Sequence, residues 1–230
     1  MGKVYSDLLE AVNMQKNFKA VIFDMDGLVF DTERVFMEQL AVAMKEKGYN
    51  LSREVYIKTL GTGGSRLKDI MYSEYGEDYP FKECGDTAQS RLVMIAETIG
   101  LSIKPQIQEL LAMLKEKGIP CAVASSTKSV YVEKYLKHAG LLGYFQEIIG
   151  GEMAKHSKPE PDIFLMACEK LNIAPQKALV LEDSENGVKA AFAAGIPVIC
   201  IPDLKEPDKE TIKMTAAVVV KRSLSGNITA

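Results

Sequence analysis

The chain has little to offer a transition metal. Its four cysteines, Cys84, Cys121, Cys168 and Cys200, stand more than thirty residues apart, which excludes a zinc knuckle. Three of them sit in apolar runs, where a reduced thiol behaves as a small hydrophobe. Only two histidines are present, His138 and His156, and they are isolated; we assign them no chemistry. No stretch approaches the roughly 18 apolar residues of a membrane span, and the N-terminal SDLLEAVNMQKN has acids where a secretion signal is basic and then apolar. Positive charge is not in excess either: 28 Lys and Arg against 31 Asp and Glu leave a net charge of -3. No basic stripe is present to neutralise a nucleic-acid backbone. We therefore expect a cytoplasmic protein whose partners are neither nucleic-acid polymers nor membranes, with a monomer as its expected state.

What is there is the balance of an ordinary globular protein, with 47% hydrophobic and 26% charged residues in 230. That length accommodates one core plus a smaller second unit. Ala20-Val21-Ile22-Phe23 is a short apolar run followed by a polar break, as a strand buried on both faces reads. The pattern recurs at Ala122-Val123-Ala124 before Ser125-Ser126-Thr127, at Ala178-Leu179-Val180-Leu181 before Glu182-Asp183-Ser184, and at Ile196 to Ile201 before Pro202-Asp203. Helical patterns lie between, at Pro105 to Lys117, Ser129 to Ala139, Pro159 to Leu171 and Asn186 to Ala194; three of them end at a glycine. Ala217 to Val220 reads as one more strand. The alternation predicts an α/β fold, a doubly wound, Rossmann-like parallel sheet.

The first two strands are separated by about eighty residues that read as helix after helix, roughly Glu33 to Lys47, Ser52 to Thr59, Ser65 to Tyr75 and Phe81 to Ile99. A structureless loop of that length is improbable. We therefore expect an α/β core domain from residues 1–34 and 101–230, with an all-helical cap domain inserted at 35–100. Residues 1–17 show only a weak amphipathic pattern (Leu8, Leu9, Val12) and receive no function.

In an open α/β sheet, ligands sit beyond the carboxyl ends of the strands. Those ends carry Asp24 and Asp26, Ser125 to Thr127, and Glu182 with Asp183, while Ser157-Lys158-Pro159 opens a helix nearby. Carboxylates forced together repel unless a cation joins them. Oxygen donors without histidine or cysteine suit Mg2+ better than zinc. The cation needs an anion to act on, and the Ser125 hydroxyl, the Lys158 ammonium and helix-start N–H groups make a cradle for a phosphoryl group. Asp24 and Asp26, two apart in an extended segment, project to one side, so one can attack phosphorus while the other handles a proton.

With FDMDG, VASST, SKPEPDIF and LEDSENG in that order, the chain resembles the haloacid dehalogenase-like superfamily of phosphatases and phosphomutases from about Phe18 to Pro202. Within it, the chain is similar to the branch of β-phosphoglucomutase and pseudouridine-5'-phosphatase-like enzymes, whose helical cap follows the first strand. The resemblance implies an aspartyl-phosphate formed on Asp24, with Asp26 as acid/base and its backbone carbonyl toward the metal. It also implies Ser125 and the Ser126 backbone on phosphate, Lys158 neutralising phosphate and nucleophile, and Glu182 and Asp183 on Mg2+. Dehalogenases of the superfamily lack the second aspartate, so Asp26 counts against that reaction. Ten residues past Asp26 this chain has Phe36, where β-phosphoglucomutase has a histidine, so water is favoured as the final acceptor.

Simpler readings compete. Ser125, Ser126 and Ser184 suit helix N-caps, Asp31, Thr32 and Glu33 suit the cap and hinge of the following helix, and a lone lysine is usually a solvated charge. Gly61-Thr62-Gly63-Gly64-Ser65-Arg66 lacks the lysine and spacing of a P-loop. It stands where related enzymes carry a specificity loop, so Arg66, with Lys68, becomes a candidate contact to the leaving group. The leading expectation is a Mg2+-dependent phosphatase of a small phosphorylated metabolite, a sugar phosphate or nucleoside monophosphate. The alternative is a β-phosphoglucomutase-like phosphomutase. A receiver-type phospho-accepting module stands third, disfavoured by the helical insert.

Overall fold

A computed structural model describes residues 3–5, 7–15, 17–60 and 64–219. Along the chain run β1 (Lys3–Tyr5), α1 (Leu8–Asn13), β2 (Ala20–Phe23), α2 (Thr32–Glu46), α3 (Arg53–Thr59), α4 (Gly64–Tyr75), α5 (Phe81–Thr98) and α6 (Ile107–Glu116). There follow β3 (Cys121–Ala124), α7 (Ser129–His138), β4 (Glu147–Ile149), α8 (Asp162–Lys170), β5 (Ala178–Glu182), α9 (Glu185–Ala193), β6 (Val198–Cys200), α10 (Lys209–Met214) and β7 (Ala217–Val219).

The strands form one seven-stranded sheet in the order β1-β7-β6-β5-β2-β3-β4, parallel at every pairing. The alternation along β2 shows why the apolar runs are continuous. Val21 and Phe23 join one buried cluster with Leu110, Leu114 and Leu136, while Ile22 joins the other with Phe164 and Val188. Both faces are covered by helices, so neither parity of residue can be polar. Each such aliphatic or aromatic side chain contributes about 1.5–3 kcal/mol. The strand order changes direction at β2, which lies between β5 and β3; the crevice outside its carboxyl end is where such a sheet binds ligands.

Helices α2 to α5 enclose a separate cluster that includes Leu40, Met44, Val55, Tyr56, Met71, Tyr79 and Cys84. Along α5 the buried positions Cys84, Ala88, Leu92 and Ala96 recur every four residues, the stripe a helix needs. Ser52 caps α3, its Oγ accepting the Val55 N–H at 3.1 Å. The chain enters and leaves this helical unit at one place. Phe30 and Ile103 form an antiparallel bridge, and the Asp31 N–H donates to the Ser102 carbonyl at 3.0 Å and the Lys104 N–H to that of Val29 at 2.9 Å.

Several expectations need correction. The weak pattern near the N-terminus resolves into two elements: β1 pairs with β7, and Leu8, Ala11 and Val12 of α1 are buried. The helix expected from Pro159 begins at Asp162, because Glu160 precedes Pro161 and is thereby disfavoured from helical backbone; Lys158 lies in the preceding turn. The helix expected from Pro105 begins at Ile107, after Gln106 in the left-handed region. Ser184 caps α9, accepting the Gly187 N–H at 3.0 Å. Asp31 precedes α2 but makes no side-chain cap; it pairs with Lys104 at 2.7 Å and Arg34 at 3.0 Å. Val220 and Gly61 to Gly63 of the expected specificity loop lie outside the described residues.

Candidate active site

The ends of β2, β3 and β5 and the turn before α8 converge, and a cleft of about 430 Å³ opens above them toward α2–α5. Asp24 and Asp26 both line it, as do Ser126, Lys158, Glu182 and Asp183. Gly27 makes the turn after Asp26 possible. Its φ is +79°, and its N–H is shared by the Phe30 carbonyl at 3.0 Å and the Thr32 Oγ1 at 3.2 Å.

Lys158 is almost fully buried. Its ammonium donates to Asp24 Oδ1, to Glu182 Oε1 at 2.7 Å and to the Ala124 carbonyl at 3.2 Å, and it lies 4.8 Å from the Phe164 ring centroid. Burial alone would lower its pKa, but the charges of Asp24 and Glu182 outweigh that and hold the ammonium protonated. Glu182 is itself fixed by the Ser184 N–H at 2.7 Å, and Gly187 leaves room for it: a Cβ there would overlap the Glu182 carboxylate.

Carboxylate oxygens of Asp24, Glu182 and Asp183 all lie within 4.8 Å of one another. Three carboxylates against the one Lys158 ammonium leave two negative charges, which a divalent cation cancels. Asp24 and Asp183 record the strain of this crowding. Burial pushes each carboxyl well above the ordinary range; for Asp24, Lys158 opposes this while Glu182 and Asp26 add to it, and for Asp183 the charges of Glu182 and Asp24 add to it. All these donors are hard oxygens, so the set fits Mg2+.

Ser125, fully buried, is no helix cap. Its Oγ donates to Asp26 Oδ2 at 2.9 Å and accepts the Thr127 N–H at 2.9 Å. Thr127 Oγ1 also donates to Asp26 Oδ2, at 2.9 Å, so two hydroxyls orient that carboxylate. The motif residues Asp24, Asp26, Ser125, Ser126, Lys158, Glu182 and Asp183 thus come together. Arg66 is exposed and absent from the cleft lining, where its neighbour Leu67 stands instead; Lys68 lies 5.1 Å from the Tyr72 ring centroid.

Residues outside the motifs also reach the site. Glu33 lines the cleft and its Oε2 accepts from the Tyr56 hydroxyl at 2.8 Å; burial raises the Glu33 carboxyl, against the pull of that hydrogen bond. Lys104, at the exit from the helical unit, stands outside the cleft lining and bridges Asp31 at 2.7 Å and Asp203 at 2.5 Å. Neither pair follows a recognisable spacing; Glu33 is marked only by its place in the Asp31-Thr32-Glu33 stretch that opens the insert.

The haloacid dehalogenase-like hydrolase family model matches residues 21–201. A phosphorylated carbohydrates phosphatase of Thermotoga maritima is 31% identical over 181 residues, 77% of this chain and 82% of the relative. The structure of CbbY from Rhodobacter sphaeroides in complex with xylulose-(1,5)bisphosphate superposes with a TM-score of 0.72 at 26% identity, covering 88% of this chain and 93% of that one. A β-phosphoglucomutase from Clostridium difficile, at 23% identity, shares the fold with a TM-score of 0.69 over 89% of this chain and 91% of its own. The chain belongs to the haloacid dehalogenase-like hydrolases, and its fold is that of the β-phosphoglucomutase-like branch.

Proposed function

We propose that this hydrolase is a Mg2+-dependent phosphatase of a small phosphorylated metabolite, a sugar phosphate or nucleoside monophosphate, working through an aspartyl-phosphate on Asp24. The observation that carries the reading is the Asp24 carboxylate, held by Lys158 and gathered with Glu182 and Asp183 at the mouth of β2. The phosphatase of phosphorylated carbohydrates among the relatives supports the substrate class.

Asp24 attacks phosphorus, forming a carboxylate oxygen–phosphorus bond as the bond to the leaving oxygen breaks. Asp26, oriented by Ser125 and Thr127, donates its proton to that oxygen and then takes one from the water that cleaves the aspartyl-phosphate. Lys158, Ser125 and the Ser126 backbone hold the phosphoryl oxygens, so most of the rate comes from positioning and preorganised charge. Asp24, Glu182, Asp183 and the Asp26 backbone carbonyl would hold Mg2+, which when bound supplies charge neutralisation at the phosphoryl group.

We treat residues 35–100 as a cap domain over a core of 1–34 and 101–230. Floor and roof of the cleft both come from one chain, which supports a working monomer. No helix among the described residues is long and apolar enough to cross a membrane. All four cysteines are buried and free, in keeping with a reducing cytoplasm.

Phosphate release from a panel of phosphorylated metabolites with Mg2+ tests the reading. Asp24→Asn is expected to abolish turnover, and substantial activity in that variant would refute the nucleophile. The second reading, a phosphomutase, is favoured by the fold shared with β-phosphoglucomutase. A hexose 1-phosphate with a bisphosphate activator separates the two: a mutase makes hexose 6-phosphate, a phosphatase free phosphate. Phe36, which lines the cleft where a mutase histidine would stand, favours the phosphatase.

A further inference from the structure

Resting on the phosphatase reading, we propose that the substrate's leaving group carries no second anion. The cleft then takes monophosphate esters of neutral, hydroxyl-bearing compounds, and Glu33 is the residue that selects them.

The roof of the cleft draws on all four helices of the inserted unit, with Phe36 from α2, Tyr56 from α3, Leu67 from α4, and Gln89 and Leu92 from α5. Two aromatic rings, two leucines and one amide bring no positive charge. Among the described residues lining the cleft, Lys158 is the one cation. It is bonded to Asp24, Glu182 and the Ala124 carbonyl, so it belongs to the floor, where the phosphoryl group sits. Glu33 stands in the first turn of α2, its Oε2 held by the Tyr56 hydroxyl. Among its described residues the roof therefore has a carboxylate and no counter-charge.

A second phosphate or a carboxylate on the leaving group would leave water beside Glu33, with no ammonium or guanidinium among the described roof residues to meet it. Desolvation and like-charge repulsion then act together. Sugar or polyol hydroxyls offer what this roof can use: O–H donors to Glu33 and Gln89, and C–H faces against Phe36, Tyr56 and the leucines. The same surface disfavours phosphomutase chemistry, because a bisphosphate places its second phosphate on that side.

The test compares kcat/KM on the full chain with Mg2+ for p-nitrophenyl phosphate, a hexitol monophosphate, nucleoside 5'-monophosphates, 2-phosphoglycolate and a hexose bisphosphate. Neutral leaving groups are expected to exceed anionic ones by about tenfold or more, as a site with buried polar groups discriminates. Glu33→Gln should narrow that ratio through KM, and Glu33→Lys should reverse it. If the lysine variant fails to fold, the near-isosteric glutamine variant decides. Hydrolysis of p-nitrophenyl phosphate together with equal or better turnover of the anionic esters, or an unchanged ratio in Glu33→Gln, would overturn the leaving-group inference alone. Absence of phosphate release from every ester would instead remove the phosphatase reading beneath it.

Discussion

Gly27 lies against Asp183 so closely that a Cβ on it would overlap the Asp183 carboxylate. Its φ of +79° is one that side chains rarely adopt. The turn after β2 and the acidic end of β5 therefore fit together only through this glycine. Gly27→Ala is expected to cost about 1–3 kcal/mol of stability and to displace Asp183 from its carboxylate partners. Thermal unfolding with and without Mg2+ checks this: the stabilisation that Mg2+ gives the natural protein should shrink in the variant.

Asp24→Asn should melt at a higher temperature than the natural protein in Mg2+-free buffer near neutral pH. Burial, reinforced by Glu182 and Asp26 and only partly opposed by Lys158, pushes the Asp24 carboxyl well above 3.8. A group raised in this way costs the folded state stability once the pH passes its unfolded value, and a neutral amide removes that cost. Adding Mg2+ should close the gap, since an ion at 100 times its Kd stabilises by about 2.7 kcal/mol. Calorimetry in chelator and in Mg2+ reads both.

Lys104→Met leaves Asp31 and Asp203 without their shared ammonium and should cost about 3–5 kcal/mol, as breaking a buried pair does. Burial raises the Asp31 carboxyl, but the Lys104 hydrogen bond and charge, with Arg34, outweigh it and hold it below 3.8. A depressed acid contributes stability that is complete above its unfolded value and is lost as pH falls through its folded value. Acid unfolding followed by circular dichroism should therefore begin at higher pH in the variant.

Ser125→Ala removes one of two hydroxyls that orient Asp26 and the acceptor of the Thr127 N–H. We expect a stability loss of about 1–2 kcal/mol and a fall in kcat of about 10²-fold or more. Thr127→Val, which keeps the Ser125 contact, should lose less; stopped-flow measurement of phosphate release separates the two.

The strands that carry the site were legible because both faces of β2, β3 and β5 are buried, so apolar runs end abruptly in polar residues at the cleft. β1 and β4 were not. Each has three residues, too few for a period, and each is defined by the neighbour it pairs with. Helix starts at Pro105 and Pro159 were read too early because left-handed Gln106 and the paired prolines around Glu160 intervene. Asp24, Lys158 and Asp183 could be named because every one ends a strand or opens the turn beside it. Glu33 with Tyr56, and Lys104 with Asp203, are side-chain meetings across 23 and 99 residues, set by how the helices pack and written in no local pattern.

The antiparallel bridge between Phe30 and Ile103 gives the helical insert two ends lying side by side, as the ends of a surface loop do. On the proposed function, exchange of the whole insert between those points should alter what is admitted to the cleft while β2 keeps its neighbours. Selectivity and bond-breaking can thus be transplanted separately, and a foreign helical segment spliced at residues 31 and 103 need only reproduce one short gap to be accepted.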